Sequence, residues 1–186
     1  LCSNKVGPGH LRHLDYGRIQ LAEYSPSDEP RGITARMREV AADFERAGIP
    51  ITMDEDLLAA RWKKLVWNVP FNGLCVVLDT TTDRLMADDD TRALCESLMR
   101  EVAAGAAAMN RTIDDAFIEK MLDHTAKMTP YRPSMKIDYD ERRPMEVEAI
   151  YGAPLRAVTP TGVELPRMQA LCRQLRFLNR GNRGDL

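Results

Sequence analysis

The chain has 186 residues, 44% of them hydrophobic and 29% charged, and 26 Lys+Arg stand against 28 Asp+Glu for a net charge of −2. That length allows one domain with a real core, or one domain together with part of another, and the composition excludes a disordered chain. The near balance of charge leaves no overall field to attract nucleic acid or an anionic membrane.

In chain order, Gly7-Pro8-Gly9 signals a turn, and residues 18–24 (RIQLAEY) alternate polar and apolar positions as a half-buried strand does. Residues 31–47 place Ile33, Met37, Val40, Ala41 and Phe44 at helical spacing, and Gly48 supplies a stop before a short strand at 49–52. Strand, helix and strand belong to an α/β layer, with too few strands to complete one. From Asp54 onward the pattern is helical. Asp54 can cap a helix over 54–79 whose Leu57, Leu58, Trp62, Leu65 and Val66 form one stripe. Further helices are predicted at 81–86, 89–110, 114–128, 134–139, 145–158 and 166–178, with an ordered loop around Pro130 and Pro133. The expected fold class is therefore mainly α: an all-α domain over 54–186, preceded by a partial α/β portion over 1–53.

The apolar run at 66–78 is interrupted by Asn68, Pro70, Asn72 and Gly73 and falls short of the roughly 20 residues that span a bilayer. The first residues lack the basic and then apolar segments of an export signal, so cytoplasm is the expected location. Cys2, Cys75, Cys95 and Cys172 are widely spaced with no CxxC pair, and read as reduced core residues. His10 and His13 are spaced like a weak metal pair, but nothing nearby offers a third ligand, and no metal site is expected.

Two constellations could carry chemistry. In WKKLVWNVPFNGL, the side chains of Lys64, Asn68 and Asn72 fall within an arc of about 80° at helical pitch. Mid-helix Asn is unfavourable, because its amide competes for backbone hydrogen bonds, and Pro70 should kink the helix beside this face. A ligand-binding face and a solvated stripe with a Pro bend both fit these residues. In PSMKIDYDERRPMEVEAIYG, Ser134 is a candidate N-cap whose hydroxyl and nearby amides could hold a carboxylate, or an ordinary cap. Asp138 lies one turn on, and Glu146, beyond the break at Arg142-Arg143-Pro144, falls in the first turn of the next helix, where a carboxylate is favourable for dipole reasons alone.

Taken together, Lys64-Leu65-Val66-Trp67-Asn68 with Asn72, Ser134-Met135 with Asp138, and Glu146 ahead of Gly152 resemble the signature of the ketopantoate reductases, the 2-dehydropantoate 2-reductases, over residues 17–178. The resemblance implies a Rossmann-like NADP-binding domain followed by an all-α domain like the C-terminal domain of 6-phosphogluconate dehydrogenase. Residues 1–53 would be the last part of the former. No GxGxxG follows a strand in these residues, so NADPH is expected to be held mainly by a part not contained in them. The implied reaction is NADPH-dependent reduction of 2-dehydropantoate to (R)-pantoate, in pantothenate and coenzyme A biosynthesis. Lys64 would protonate and stabilise the developing alkoxide, and Glu146 would keep that ammonium charged. Asn68, Asn72 and Ser134 would orient the 2-oxoacid, with Asp138 in support. Partners implied are a small-molecule 2-oxoacid and at most a second copy of the chain in a homodimer, with neither nucleic acid nor membrane.

Two stretches depart from the family pattern. Its Thr-Glu-Ile-Asp reads Met145-Glu146-Val147-Glu148 here, and its Gly-Arg reads Arg142-Arg143. These changes keep open another 2-oxoacid as substrate. A helical association module without catalysis is the reading from a different class.

Overall fold

A computed structural model describes residues 2–15 and 17–184, without the side chains of residues 2–5, 14, 15 and 183. It divides into two compact units, 1–61 and 62–186, the division falling inside one long helix. In the first unit, β1 (Cys2–Gly7) and β2 (His10–Asp15) form an antiparallel hairpin, of which sequence pattern predicts only the turn. β3 (Ile19–Ala22), α1 (Ala35–Arg46) and β4 (Ile51–Asp54) follow, with β3 and β4 paired in parallel from Ile19 opposite Ile51 to Ala22 opposite Asp54. A parallel pair needs a crossover, and α1 provides it. The Thr34 side chain caps α1 by accepting from the Met37 N–H at 3.2 Å.

The remainder is helical: α2 (Leu57–Val77), α3 (Thr82–Ala87), α4 (Asp89–Ala108), α5 (Asp115–Ala126), α6 (Ser134–Asp140), a π turn (Glu148–Gly152), α7 (Ala153–Val158), a 3-10 turn (Thr159–Thr161) and α8 (Pro166–Arg183). No strand lies beyond Asp54 among the described residues. Asp88 and Asp114 cap α4 and α5 by accepting from Thr91 N–H at 2.9 Å and Phe117 N–H at 2.8 Å.

Three local expectations are corrected. Asp54 does not cap α2, because it closes β4. Asp56 takes that place, accepting from the Ala59 N–H at 3.0 Å. The predicted helix over 145–158 is instead a π turn running into α7, with the Ala153 N–H reaching the Glu148 carbonyl five residues back. Pro154, lacking an N–H, sits just beyond this irregularity. Ser134 is not an N-cap. Pro133 holds that position with extended ψ of 158°, and Ser134 is the first helical residue.

The C-terminal half of α2 is buried on every side, from Val69 to Val76, as expected for a helix apolar all round. Val66, Phe71, Leu98, Met99, Val102, Ile118, Met135, Tyr151, Met168 and Leu175 complete one core drawn from α2, α4, α5, α6, the π turn and α8. Cys75, Cys95 and Cys172 are free thiols within it, and the expectation for Cys2 lies outside the described side chains. No helix is long and apolar enough to cross a membrane among the described residues.

Candidate functional site

The polar stripe of α2 enters the core at one end. Lys64 is exposed, Asn68 is intermediate, and Asn72 is only 2% exposed. The side chains of Lys64 and Asn68 make no hydrogen bond or ion pair among the described residues. Asn72 is different: its Oδ1 accepts from the backbone N–H of Met135 at 3.1 Å. That N–H has no intrahelical acceptor, being in the first turn of α6, so α2 satisfies the start of the helix that carries Ser134. The same bond fixes the orientation of the amide and leaves Nδ2 as the group that can donate elsewhere.

Ser134 is exposed on the first turn of α6, its hydroxyl unengaged among the described residues. Asp138, one turn on, accepts from Arg143 at Nε (2.9 Å) and Nη2 (2.7 Å). It therefore fastens the loop after α6 to the helix. Glu146 is exposed just ahead of the π turn and carries no ion pair among the described residues. Asn72 and Ser134–Met135 are thus brought together, while no hydrogen bond or ion pair joins Glu146 to Lys64 among the described residues.

Trp67 stands between Lys64 and Asn68 in sequence and is pinned from three directions. Its indole N–H donates to Thr125 Oγ1 at 3.0 Å, and its ring lies 5.1 Å from that of Phe71 and 6.2 Å from that of Tyr131. A rigid neighbour of this kind holds the rotation of α2 and hence the direction of its polar stripe.

Lys136, on α6, was not among the residues singled out from sequence. It is 4% exposed, and its ammonium donates to Asp79 Oδ1 at 2.6 Å and to the Asp140 carboxylate. Burial opposes its charge, but the bonds to Asp140 and Asp79 outweigh burial and raise its pKa above the ordinary lysine value. The bond from Lys136 in turn holds the Asp79 carboxyl below its usual range. The i,i+4 spacing of Lys136 and Asp140 is visible in sequence, whereas the partner 57 residues away is not.

The departures from the family pattern also have places. Met145 and Val147 are buried in the core, and the Met145 N–H donates to Asn179 Oδ1 at 2.8 Å. Glu148 pairs with Arg156 at 2.8 Å and Arg176 at 2.7 Å. These side chains are occupied with packing and surface pairing.

Residues 56–179 match the profile described as ketopantoate reductase PanE/ApbA C terminal. The chain belongs to this family. It is 59% identical over 183 residues to the 2-dehydropantoate 2-reductase of Nostoc sp., covering 98% of this chain and 57% of that protein. The chain therefore spans little more than half the length of this relative. Among solved structures, the 2-dehydropantoate 2-reductase from Geobacter metallireducens is 43% identical with a TM-score of 0.86, over 95% of this chain and 57% of that one. The 2-dehydropantoate 2-reductase from Methylococcus capsulatus is 32% identical with a TM-score of 0.87, over 97% and 56% of the two chains.

Proposed function

We propose that the protein containing this chain is a 2-dehydropantoate 2-reductase, reducing ketopantoate to (R)-pantoate with NADPH, and that residues 62–186 provide its substrate-binding and proton-donating groups. The reading is supported above all by the family match over 56–179. It is consistent with polar groups left unengaged on α2 and α6. A lysine, an asparagine and a serine without partners are free to meet a ligand.

The chemistry supplied by a bound nicotinamide is a hydride for the carbonyl carbon. This chain's residues deal with the oxygen and the carboxylate. Lys64 places an ammonium where negative charge develops, favouring the alkoxide-like transition state, and its proton passes to that oxygen. Asn68, the Nδ2 of Asn72 and the Ser134 hydroxyl orient the 2-oxoacid by hydrogen bonds without adding charge. A Glu146 carboxylate beside Lys64, as in the family, keeps the ammonium protonated. Because Met145, Val147 and Glu148 serve packing and pairing, the departures there do not themselves argue for a different 2-oxoacid.

Steady-state turnover of the full-length protein, with a panel of 2-oxoacids and both NADPH and NADH, tests the reading. Lys64→Ala is expected to lower kcat by about 10²–10⁴-fold, the scale of a lost general acid or oxyanion donor, with an unchanged melting temperature. Lys63, about 100° away on α2, is the control, and Lys63→Ala is expected to leave kcat unaltered. Full activity of Lys64→Ala would remove the mechanism, and failure with every 2-oxoacid would remove the function.

A further inference from the structure

The polar stripe of α2 has two halves with different occupations. Asp79 lies beyond the end of α2, in the turn that follows it. Lys64 and Asn68 are unengaged among the described residues. Asn72 and Asp79 both grip α6, the first through the Met135 N–H at 3.1 Å and the second through the Lys136 ammonium at 2.6 Å. Met135 and Lys136 directly follow Ser134. α2 and the turn after it thus present the proposed proton donor at one end and hold the Ser134 helix at the other.

The stem of Lys136 is packed while its ammonium reaches the carboxylate of Asp79, whose side chain is 83% exposed, and an apolar residue of similar size would pack as well without reaching it. Here the cation is matched on two elements. Asp140 is on its own helix, itself bonded by Arg132 at 3.2 Å. Asp79 is in a left-handed turn (φ 48°), where its N–H bonds to the Val76 carbonyl. Carbonyls at the end of α2 add a favourable field for a cation. Directional bonds to fixed partners set the rotation and depth of α6, which apolar packing sets only loosely.

We propose that Lys136 is a positioning residue for the reduction: with Asp79 and Asn72 it seats the first turn of α6 on α2, and so fixes the Ser134 hydroxyl against the substrate carboxylate. The proposal rests on the ketopantoate reductase reading, and its test separates the two. In the full-length protein with ketopantoate and NADPH, Lys136→Met is expected to raise KM about tenfold with kcat within about threefold of the parent, since an orienting bond is lost from ground and transition states alike. Lys136→Arg recovers most of the loss. Asp79→Asn shifts KM in the same direction, and because the Asp79 side chain is 83% exposed it carries the measurement should Lys136→Met fail to fold. In a Ser134→Ala background, Lys136→Met is expected to add less than about threefold to KM, because residues acting through one another are not additive. An unchanged KM, or effects that multiply in the double variant, would overturn the proposal. If the parent reduces no 2-oxoacid, the functional reading fails, and amide exchange tests the seat alone. Lys136→Met must then speed exchange at Met135 and Ile137, whose N–H groups bond to Asn72 Oδ1 and the Pro133 carbonyl, by about tenfold relative to α4, as expected of local opening, and unaltered exchange there overturns it.

Discussion

Gly73 lies on α2 where every neighbouring residue is buried, and a Cβ there would stand 2.5 Å from Leu171 Cδ2 and 2.5 Å from the Tyr151 hydroxyl. Neither can retreat easily. Tyr151 donates to the Val69 carbonyl at 2.7 Å, and Leu171 is buried. Alanine is favoured over glycine in a helix by about 1 kcal/mol, but overpacking of a closed core costs about 1–3 kcal/mol. Gly73→Ala is therefore expected to lower the melting temperature, and a rise would show that the core yields there. The thiols follow from the same packing. Burial, with Cys95 beside it, pushes the Cys75 thiol up to about 12, and burial does the same to Cys95. Both should resist iodoacetamide at neutral pH in the native protein and react after denaturation, as mass spectrometry would read. Asn68 and Asn72 drew attention in sequence as amides in the middle of an apolar helix, and the burial of Asn72 against Met135 accounts for one of them. Lys136 drew none, since lysine within SMKIDYD looks like an ordinary solvated helix residue until Asp79 is folded against it.

The start of α8 shows how an element can depend on a residue no local pattern reveals. Leu165 precedes it and offers no side-chain oxygen, so the orphan N–H groups of the first turn need a partner from elsewhere. Glu101 of α4, buried, accepts from Arg167 N–H at 3.0 Å and Met168 N–H at 2.8 Å, and from the Arg167 guanidinium at 3.2 Å. A carboxylate at a helix N-terminus is also favoured by the dipole. Glu101→Ala is expected to cost about 1–3 kcal/mol by leaving buried donors unpaired, with Glu101→Gln closer to the parent. Equal stability of Glu101→Ala in a denaturant titration would refute that role. Most helices were legible because their periodicity is local, whereas the caps named from sequence, Asp54 and Ser134, gave way to Asp56 and Pro133. The hairpin of β1 and β2 was seen only as its turn, because short polar strands lack a clear alternation. The π turn depends on backbone bonding that composition does not encode.

The pairing of Lys136 with Asp79 gives stability a definite pH profile. The depressed carboxyl of Asp79 contributes above the unfolded carboxylate value of about 3.9, and that contribution is lost as pH falls through its lower folded value. The raised Lys136 contributes fully below the unfolded lysine value of about 10.4 and is lost as pH rises through its folded value. The melting-temperature difference between the parent and Lys136→Met should thus be level from about pH 5 to about pH 9 and shrink on either side. A difference that varied through neutrality would point to another titrating group. The mainly α class and the strands β3 and β4 were legible from periodicity, their parallel pairing was not, and the start of α2 at Asp54 to Asp56 was misread because two acidic residues compete for one cap.

Trp62 and Trp67 are the two indoles of the chain, five residues apart on α2, yet they occupy unlike surroundings. Trp62 is 2% exposed and lies where a Cβ on Gly105 would touch its ring at 2.9 Å, whereas Trp67 is partly open to water and in contact with two other aromatic rings. Intrinsic emission should therefore contain a blue, quencher-resistant component and a redder one accessible to acrylamide. The second fluorophore adjoins Asn68 in sequence, so a 2-oxoacid arriving at that face would announce itself optically, without a label and without turnover.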